Sequence, residues 1–263
     1  MAQIIVNNVQ KVFKTPGKDV VALKDINLEI KQGEFVCLLG PSGCGKSTLL
    51  NAVAGFALPS DGEITVDGKR ITGPGPDRGM VFQEYALFPW MTITQNIAFG
   101  LEVQKKSKAE IDLTVNQLLE LLHLTDFRDR FPKDLSGGRR QRGAIARVLA
   151  LDSPIMLMDE PFGALDALTR RNLQDELLRI WEKLGKTIIF VTHSIEESIY
   201  LADRIVVMTY RPGTVKRDQR VDMPRPRDPA SPEFNELKRE LGRLVMEEQQ
   251  RHANDEMKLA AVD

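Results

Sequence analysis

The chain is short of most features that would assign it to a special class. It has two cysteines in 263 residues, too few for a disulfide framework. Cys37 sits in the apolar run Phe35-Val-Cys-Leu-Leu39 and Cys44 in a glycine-rich stretch, so reduced thiols in a cytosolic protein are the simplest reading. It lacks a charge excess of either sign: Lys and Arg number 36, Asp and Glu 37. Nucleic-acid-binding surfaces usually show as surplus basic charge, so no nucleic-acid partner is expected. No apolar run approaches the roughly 18 residues that a membrane-spanning helix needs. Met1-Ala-Gln-Ile4 is not a charged segment leading into an apolar one, and no secretory leader is expected. Any service to a membrane is therefore expected from the cytoplasmic face, through a partner. Internal repeats and low-complexity tracts are absent too. What is present is a hydrophobic fraction of 42%, typical of a globular protein. The length suits one large core, or a core with a subdomain.

Short β-branched or apolar runs predict strands at Ile4–Val9, Val20–Ile30, Phe35–Leu39, Glu63–Val66, Met80–Gln83, Ile155–Met158 and Thr187–Val191. Helical spacing predicts helices at Lys46–Phe56, 107–124, Asp166–Leu184 and Ile195–Leu201. Strands alternating with helices imply a mainly parallel sheet covered on both faces. Residues from about 90 to 150 have helical patterns and little strand character, so a helical subdomain is expected there. Ile205–Tyr210 and Thr214–Val215, joined through Arg-Pro-Gly213, predict a late hairpin. After the Pro-rich stretch from Arg225, the residues Phe234, Leu237, Leu241, Leu244 and Val245 share one face of an amphipathic helix. A polar tail that frays is expected beyond it.

The chemistry lies in ordered motifs. Gly40-Pro41-Ser42-Gly43-Cys44-Gly45-Lys46-Ser47, followed by Thr48, fits G-x-x-x-x-G-K-[ST], the phosphate-binding P-loop. Its glycines let backbone N–H groups approach phosphate oxygens, and the helix opening at Lys46 adds its N-terminal dipole. Lys46 reaches the terminal phosphates, and the Ser47 hydroxyl suits Mg²⁺. Ile155-Met-Leu-Met158 followed by Asp159-Glu160 aims two carboxylates at the end of a buried strand. Asp159 would hold Mg²⁺ through water, and Glu160 would orient the attacking water. Ser136-Gly137-Gly138 opens an Ala/Arg-rich helix pattern. Alone it reads equally as an ordinary serine cap followed by glycines.

Taken in order, these motifs resemble the ATPase subunits of ABC transporters over residues 4 to about 215. The segment Leu135-Ser136-Gly137-Gly138-Arg139-Arg140-Gln141-Arg142 is similar to that family's signature. The resemblance implies that Ser136, Gly137, Gly138 and Gln141 act in trans on ATP bound by a second ATPase subunit, the same chain or a homologue. It places Gln83 at the glutamine that touches Mg²⁺ and senses the γ-phosphate, and His193 at the switch histidine. Gly163-Ala-Leu-Asp166 resembles the D-loop that crosses to the partner. Phe13 falls where an aromatic residue, more often Tyr, stacks on adenine; a core Phe is the alternative. Gly143 and Val148 depart from the family pattern, which commonly has Val and Ala there.

Leu87-Phe-Pro-Trp-Met-Thr-Ile93, Leu201–Gly213 and Met223-Pro-Arg-Pro-Arg-Asp228 look like the nitrate/sulfonate/taurine-type importers. That resemblance implies an integral membrane permease as partner, a substrate-binding protein indirectly, and a place at the cytoplasmic face of the inner membrane. The expected architecture is an α/β P-loop NTPase core with an antiparallel β edge and a helical subdomain, over residues 1–220. Residues 221–263 are expected as a C-terminal extension. The expected cofactors are ATP and Mg²⁺. Another importer branch, a lipid-trafficking complex or a soluble ABC ATPase stays open, as do the solute and whether the dimer is of like or unlike chains. Soluble ABC proteins usually carry tandem cassettes or a long coiled-coil insertion, for which one cassette leaves no room. A P-loop small-molecule kinase would need neither the signature nor the D-loop.

Overall fold

Phe35–Leu39 is buried at all five positions, as a strand covered on both faces must be. It is the third strand in a computed structural model that describes residues 3–260. The elements run β1 (Ile4–Thr15), β2 (Lys18–Ile30), β3 (Phe35–Leu39), α1 (Lys46–Ala54), β4 (Asp61–Val66), β5 (Lys69–Arg70) and β6 (Arg78–Val81). Next come α2 (Ile93–Val103), α3 (Lys108–Leu121), α4 (Gly137–Ala150), β7 (Ile155–Asp159), α5 (Ala167–Leu184) and β8 (Thr187–Thr192). The chain closes with α6 (Ile195–Leu201), β9 (Arg204–Met208), β10 (Val215–Arg220) and α7 (Pro232–Ala260).

Two compact units result, Met1–Gly75 with Thr187–Asp263, and Pro76–Lys186. In the first, β2-β1-β4-β5 form an antiparallel sheet. β3 lies parallel to both β8 and β9, and β10 adds an antiparallel edge on β9. The core of this unit is aliphatic and aromatic: Phe35, Leu38, Leu49, Leu50 and Phe190 are essentially closed to solvent. In the second unit β6 and β7 pair in parallel, accompanied by α2 to α5. Capping boxes start α2 and α3, where Thr92 and Ser107 accept N–H bonds from Gln95 and Glu110 and those side chains bond back.

Several boundaries differ from the sequence reading. β1 and β2 run further, to a tight hairpin in which Thr15 faces Lys18 and Gly17 takes φ +89°. Such a left-handed turn residue favours glycine. β6 stops at Val81, so Phe82 and Gln83 lie beyond it. The polar stretch after Val245 does not fray at once: α7 stays helical to Ala260. From Arg243 to Ala260 it contains neither Gly nor Pro, and Glu, Gln, Arg, Lys, Met and Ala are good helix formers. The end of the expected tail, residues 261–263, lies outside the described residues.

Candidate functional site

In the first unit, the strand–loop–helix at β3 and α1 follows from its glycines. Gly43 and Gly45 adopt φ of +76° and +97°, a left-handed backbone that other residues rarely take. A Cβ on Gly45 would also stand 2.7 Å from Leu23 Cδ2 and 3.0 Å from the Ala22 carbonyl. Gly45 caps α1 by position only, with no side chain bonding the first turn. No cap side chain competes with an anion for the start of α1. Lys46 is only 5% exposed. Its Nζ donates to the carbonyls of Gly40 (2.8 Å) and Pro41 (2.9 Å) and lies 3.8 Å from Cys44 Sγ. The loop thus wraps its own cation, holding it where a phosphate can replace those carbonyls. Burial raises the Cys44 thiol, against the downward pull of the Lys46 charge, so it stays protonated at neutral pH.

The same unit brings His193 to the edge that carries Gly40. Leu39 pairs with Thr192, so the phosphate loop and His193 leave adjacent parallel strands at the same end. Ligands in open α/β sheets bind at this end. His193 is exposed. Its neighbours are fixed: the Thr192 hydroxyl donates to Glu197 Oε2 (2.6 Å) and accepts the Ser194 N–H (2.9 Å), while Ser194 Oγ caps α6 through the Glu197 N–H. Phe13 is 42% exposed, which removes the core reading. Lys11, on the same strand, pairs with Leu23, the residue that packs on Gly45, so the Phe13 strand is tied to the phosphate loop through β2.

The second unit presents the carboxylates. Val81 pairs with Met158, so Gln83 and Glu160 each stand two residues past a pair at the same end of β6 and β7. Gln83 is exposed, and Asp159 and Glu160 are half-buried. Glu160 has φ +42°, and Tyr85 and Ala86 have +62° and +49°. Left-handed backbone at such residues is costly and concentrates at functional turns.

Ser136 stands at the N-cap of α4, yet its side chain caps nothing. The ordinary-cap reading accordingly loses its bond, and an exposed hydroxyl remains beside two glycines. A Cβ on Gly138 would lie 2.6 Å from Thr169 Cγ2, and one on Gly137 3.2 Å from both Leu165 Cδ2 and the Tyr85 hydroxyl. Only glycine lets the signature approach the D-loop helix this closely. Asp166 caps that helix through the Thr169 N–H (3.0 Å), a bond that lowers its carboxyl pKa. Gln141 differs from Ser136. It is 0% exposed, and neither Oε1 nor Nε2 has a hydrogen-bond partner. The structure keeps it from the surface on which Ser136 is open.

The two family departures acquire a packing reason. A Cβ on Gly143 would meet Ile93 Cδ1 at 3.1 Å and Leu87 Cδ1 at 3.4 Å. A Cβ on Gly79 would collide with Val148 Cγ1. One glycine makes room for Leu87 and Ile93, and the larger Val148 fills the space over another. Gly79 is not flagged by the motifs, and only its partner across the packing reveals it.

After Gln83 the aromatics form a surface. Trp90 is 70% exposed, with its ring 5.5 Å from that of Phe88, which in turn lies 4.8 Å from Phe99. Arg147 covers Phe88 at 5.2 Å and donates to the Ala86 carbonyl at 2.7 Å. Sequence reasoning found the hairpin turn 209–214 but missed what it packs against. A Cβ on its Gly213 would collide with the Cys44 carbonyl. Pro212-Gly213 signals a turn, but nothing local says that the turn backs the phosphate loop.

Comparisons with known proteins identify the family. Residues 23–163 match the model of the ABC transporter family. The chain is 49% identical over 222 residues to the taurine import ATP-binding protein TauB of Roseobacter denitrificans, covering 84% of this chain and 83% of that one. It is 46% identical over 235 residues to the nitrate import ATP-binding protein NrtD of a Synechocystis species, covering 89% and 88%. Among solved structures, the ATP-binding cassette MJ0796, a dimer in a post-hydrolysis state with ADP and Pi, superposes with a TM-score of 0.75. The identity there is 34%, over 84% of this chain and 99% of that one.

Proposed function

The chain belongs to the ABC transporter family, and from that premise we propose how its residues act as the ATP-hydrolysing subunit of an importer of small anionic or zwitterionic solutes. The observation that carries the ATP reading is the loop from Gly40 to Ser47. It combines left-handed glycines, an uncapped helix start and a buried lysine ammonium resting on loop carbonyls.

ATP is held with its phosphates on the N–H groups of Gly43 to Thr48 and its adenine on Phe13. Lys46 exchanges carbonyl partners for β- and γ-phosphate oxygens, gaining charge-assisted bonds. Glu160 orients the attacking water and takes up its proton as the bond between the β–γ bridging oxygen and phosphorus breaks, and His193 hydrogen-bonds the γ-phosphate. Ser47, Asp159 and Gln83 would supply hydroxyl, carboxylate and amide oxygens to Mg²⁺, donor types that this hard cation takes. The ion would supply positive charge against the phosphates of ATP. Ser136 to Gly138 close over ATP on a second ATPase subunit. The free Ser136 hydroxyl supports this reading, and so does a relative solved as a dimer. Gln141, buried, supports the signature from within.

No helix among the described residues is long and apolar enough to cross a membrane. We place the subunit at the cytoplasmic face, bound to a permease through the surface around Trp90, with a substrate-binding protein upstream. Relatives of nearly equal identity serve taurine and nitrate, so the solute is chosen by those other subunits. The test is ATP hydrolysis by the purified chain with and without Mg²⁺, followed by co-purification with a co-expressed candidate permease. Mg²⁺-dependent phosphate release and a stable complex are expected. Failure to bind ATP would overturn the enzymatic reading, and hydrolysis without permease association would overturn the transport one.

A further inference from the structure

The phosphate loop rests on a turn, and the turn rests on the C-terminal helix. Residues 209–214 are closed by Thr209, whose hydroxyl donates to the Pro212 carbonyl (2.8 Å) and accepts the Thr214 N–H (2.9 Å). This turn meets the phosphate loop at consecutive positions. A Cβ on Gly43 would lie 3.7 Å from Arg211 Nη2 and 3.9 Å from Tyr210 Cε2. One residue on, Gly213 sits so close to the Cys44 carbonyl that no side chain fits. The turn is also stitched to β2, since the Gly213 N–H donates to the Ala22 carbonyl (2.9 Å) and the Lys24 N–H to the Gly213 carbonyl (3.0 Å).

On its other side, α7 grips the same turn. Glu248 is 0% exposed. Its Oε2 accepts the Tyr210 N–H at 2.9 Å, while its Oε1 accepts Lys216 Nζ at 2.6 Å and lies 3.4 Å from Arg251. The ring of His252, one turn further on, stands edge-on to Tyr210 at 4.2 Å. A buried carboxylate with this many donors holds its place firmly. A continuous path of bonds and contacts therefore runs from α7 through Tyr210 to Gly43 and Cys44.

We propose that α7 is a positioning element of the ATP site, with Glu248 as the latch that holds the Tyr210–Gly213 turn against the phosphate loop. The inference rests on the ATP-binding reading above. It assigns the C-terminal extension a task inside its own subunit: setting ATP affinity. Any partner that draws α7 away would weaken nucleotide binding without touching the nucleotide.

The test uses the full-length chain and three variants. Glu248→Ala is expected to raise KM for ATP, and the Kd of a fluorescent ATP analogue measured without Mg²⁺, about tenfold, the worth of one hydrogen bond to a charged acceptor. Its kcat at saturating ATP should stay within about twofold, because the carboxylate touches no reacting atom. Glu248→Gln keeps an acceptor for the Tyr210 N–H and should restore KM. Glu247→Gln is the control. Glu247 bonds Lys216 at 2.8 Å from the same helix but does not reach Tyr210, so KM should not move. A merely structural α7 would lower the thermal midpoint in all three variants and leave KM alone. A folded Glu248→Ala with wild-type KM overturns the proposal, as does a Gln variant no better than Ala. Should Glu248→Ala fail to fold, His252→Ala decides: a KM raised about threefold supports the latch and an unchanged one overturns it. If the wild-type chain itself binds no ATP, the ATP reading has failed instead.

Discussion

Two strand edges carry the proposed chemistry, and they are built in opposite ways. At the end of β3 and β8 the polar groups are satisfied beforehand: Lys46 is buried on its own loop carbonyls, and Thr192, Ser194 and Glu197 hold one another. At the end of β6 and β7, Gln83 is exposed, and Tyr85, Ala86 and Glu160 all sit on left-handed backbone. The first edge is a finished bed that needs only an anion to replace two carbonyls. The second stores conformational cost of order 1 kcal/mol at each such residue, which a change of ligand can release. The difference teaches a division of labour. On the proposed reading, affinity for ATP belongs to the preformed edge, while hydrolysis and its communication belong to the strained one.

The sharpest way to break this division is Lys46→Ala. Removing the cation leaves the β- and γ-phosphate charge unpaired, and both ATP binding and hydrolysis should collapse. A fall in kcat/KM of at least about a hundredfold is expected. Turnover comparable to wild type would sink the assignment of the phosphate loop. Glu160→Gln should do the reverse. Its amide cannot take the proton from water, so kcat should fall about 10²–10⁴-fold while ATP affinity stays near wild type. ATP should then hold the variant as a dimer longer. Sizing experiments with ATP that show only monomer at high protein concentration would count against shared closure. If both variants lost affinity equally, the two edges would not be divided as described.

A smaller effect tests the packing behind the strained edge. Gly143→Val restores the residue common in the family, but here its side chain must enter space held by Ile93 and Leu87. Overpacking of this kind costs about 1–3 kcal/mol, against a gain of several tenths from leaving glycine in a helix. The variant should be less stable by denaturant titration. A variant as stable as wild type would show that Leu87 repacks freely.

How much of this was readable in advance depends on the range of the determining contacts. Gly40, Gly43, Gly45 and Lys46 are dictated by local backbone demands, so the loop and its helix were plain in the sequence. Asp159, Glu160 and His193 were plain for a related reason: each ends a strand apolar enough to be buried. The reason for Gly143 was not legible, since it lies in Ile93 and Leu87, about fifty residues away in sequence. The Glu248–Tyr210 bond spans 38 residues and leaves no periodic trace. The burial of Gln141 was hidden within a motif that opens on the exposed Ser136.

The last expected effect is the smallest on the isolated chain and concerns the outermost part of the strained edge. Trp90 is 70% exposed, more than Phe13, although indole is larger and less willing to meet water. Its ring packs on Phe88, which in turn meets Phe99 edge-to-face and lies under the Arg147 guanidinium. Truncating Trp90 therefore opens no cavity, and stability should change by less than about 0.5 kcal/mol. Nucleotide binding should not change either, since the preformed edge lies in the other unit of the chain. An exposed aromatic seated on a rigid aromatic base is what an interface anchor requires, because tryptophan contributes large area at small entropic cost. In the full complex, Trp90→Ala should weaken permease association about tenfold or more, or leave ATP hydrolysis running without transport. Co-purification and a transport assay in vesicles read the two outcomes separately. An unfolded variant would return Trp90 to the core of its unit. A folded one with unchanged transport would remove it from the interface and leave the strained segment from Tyr85 to Ala86 as the remaining route from Gln83 to the permease.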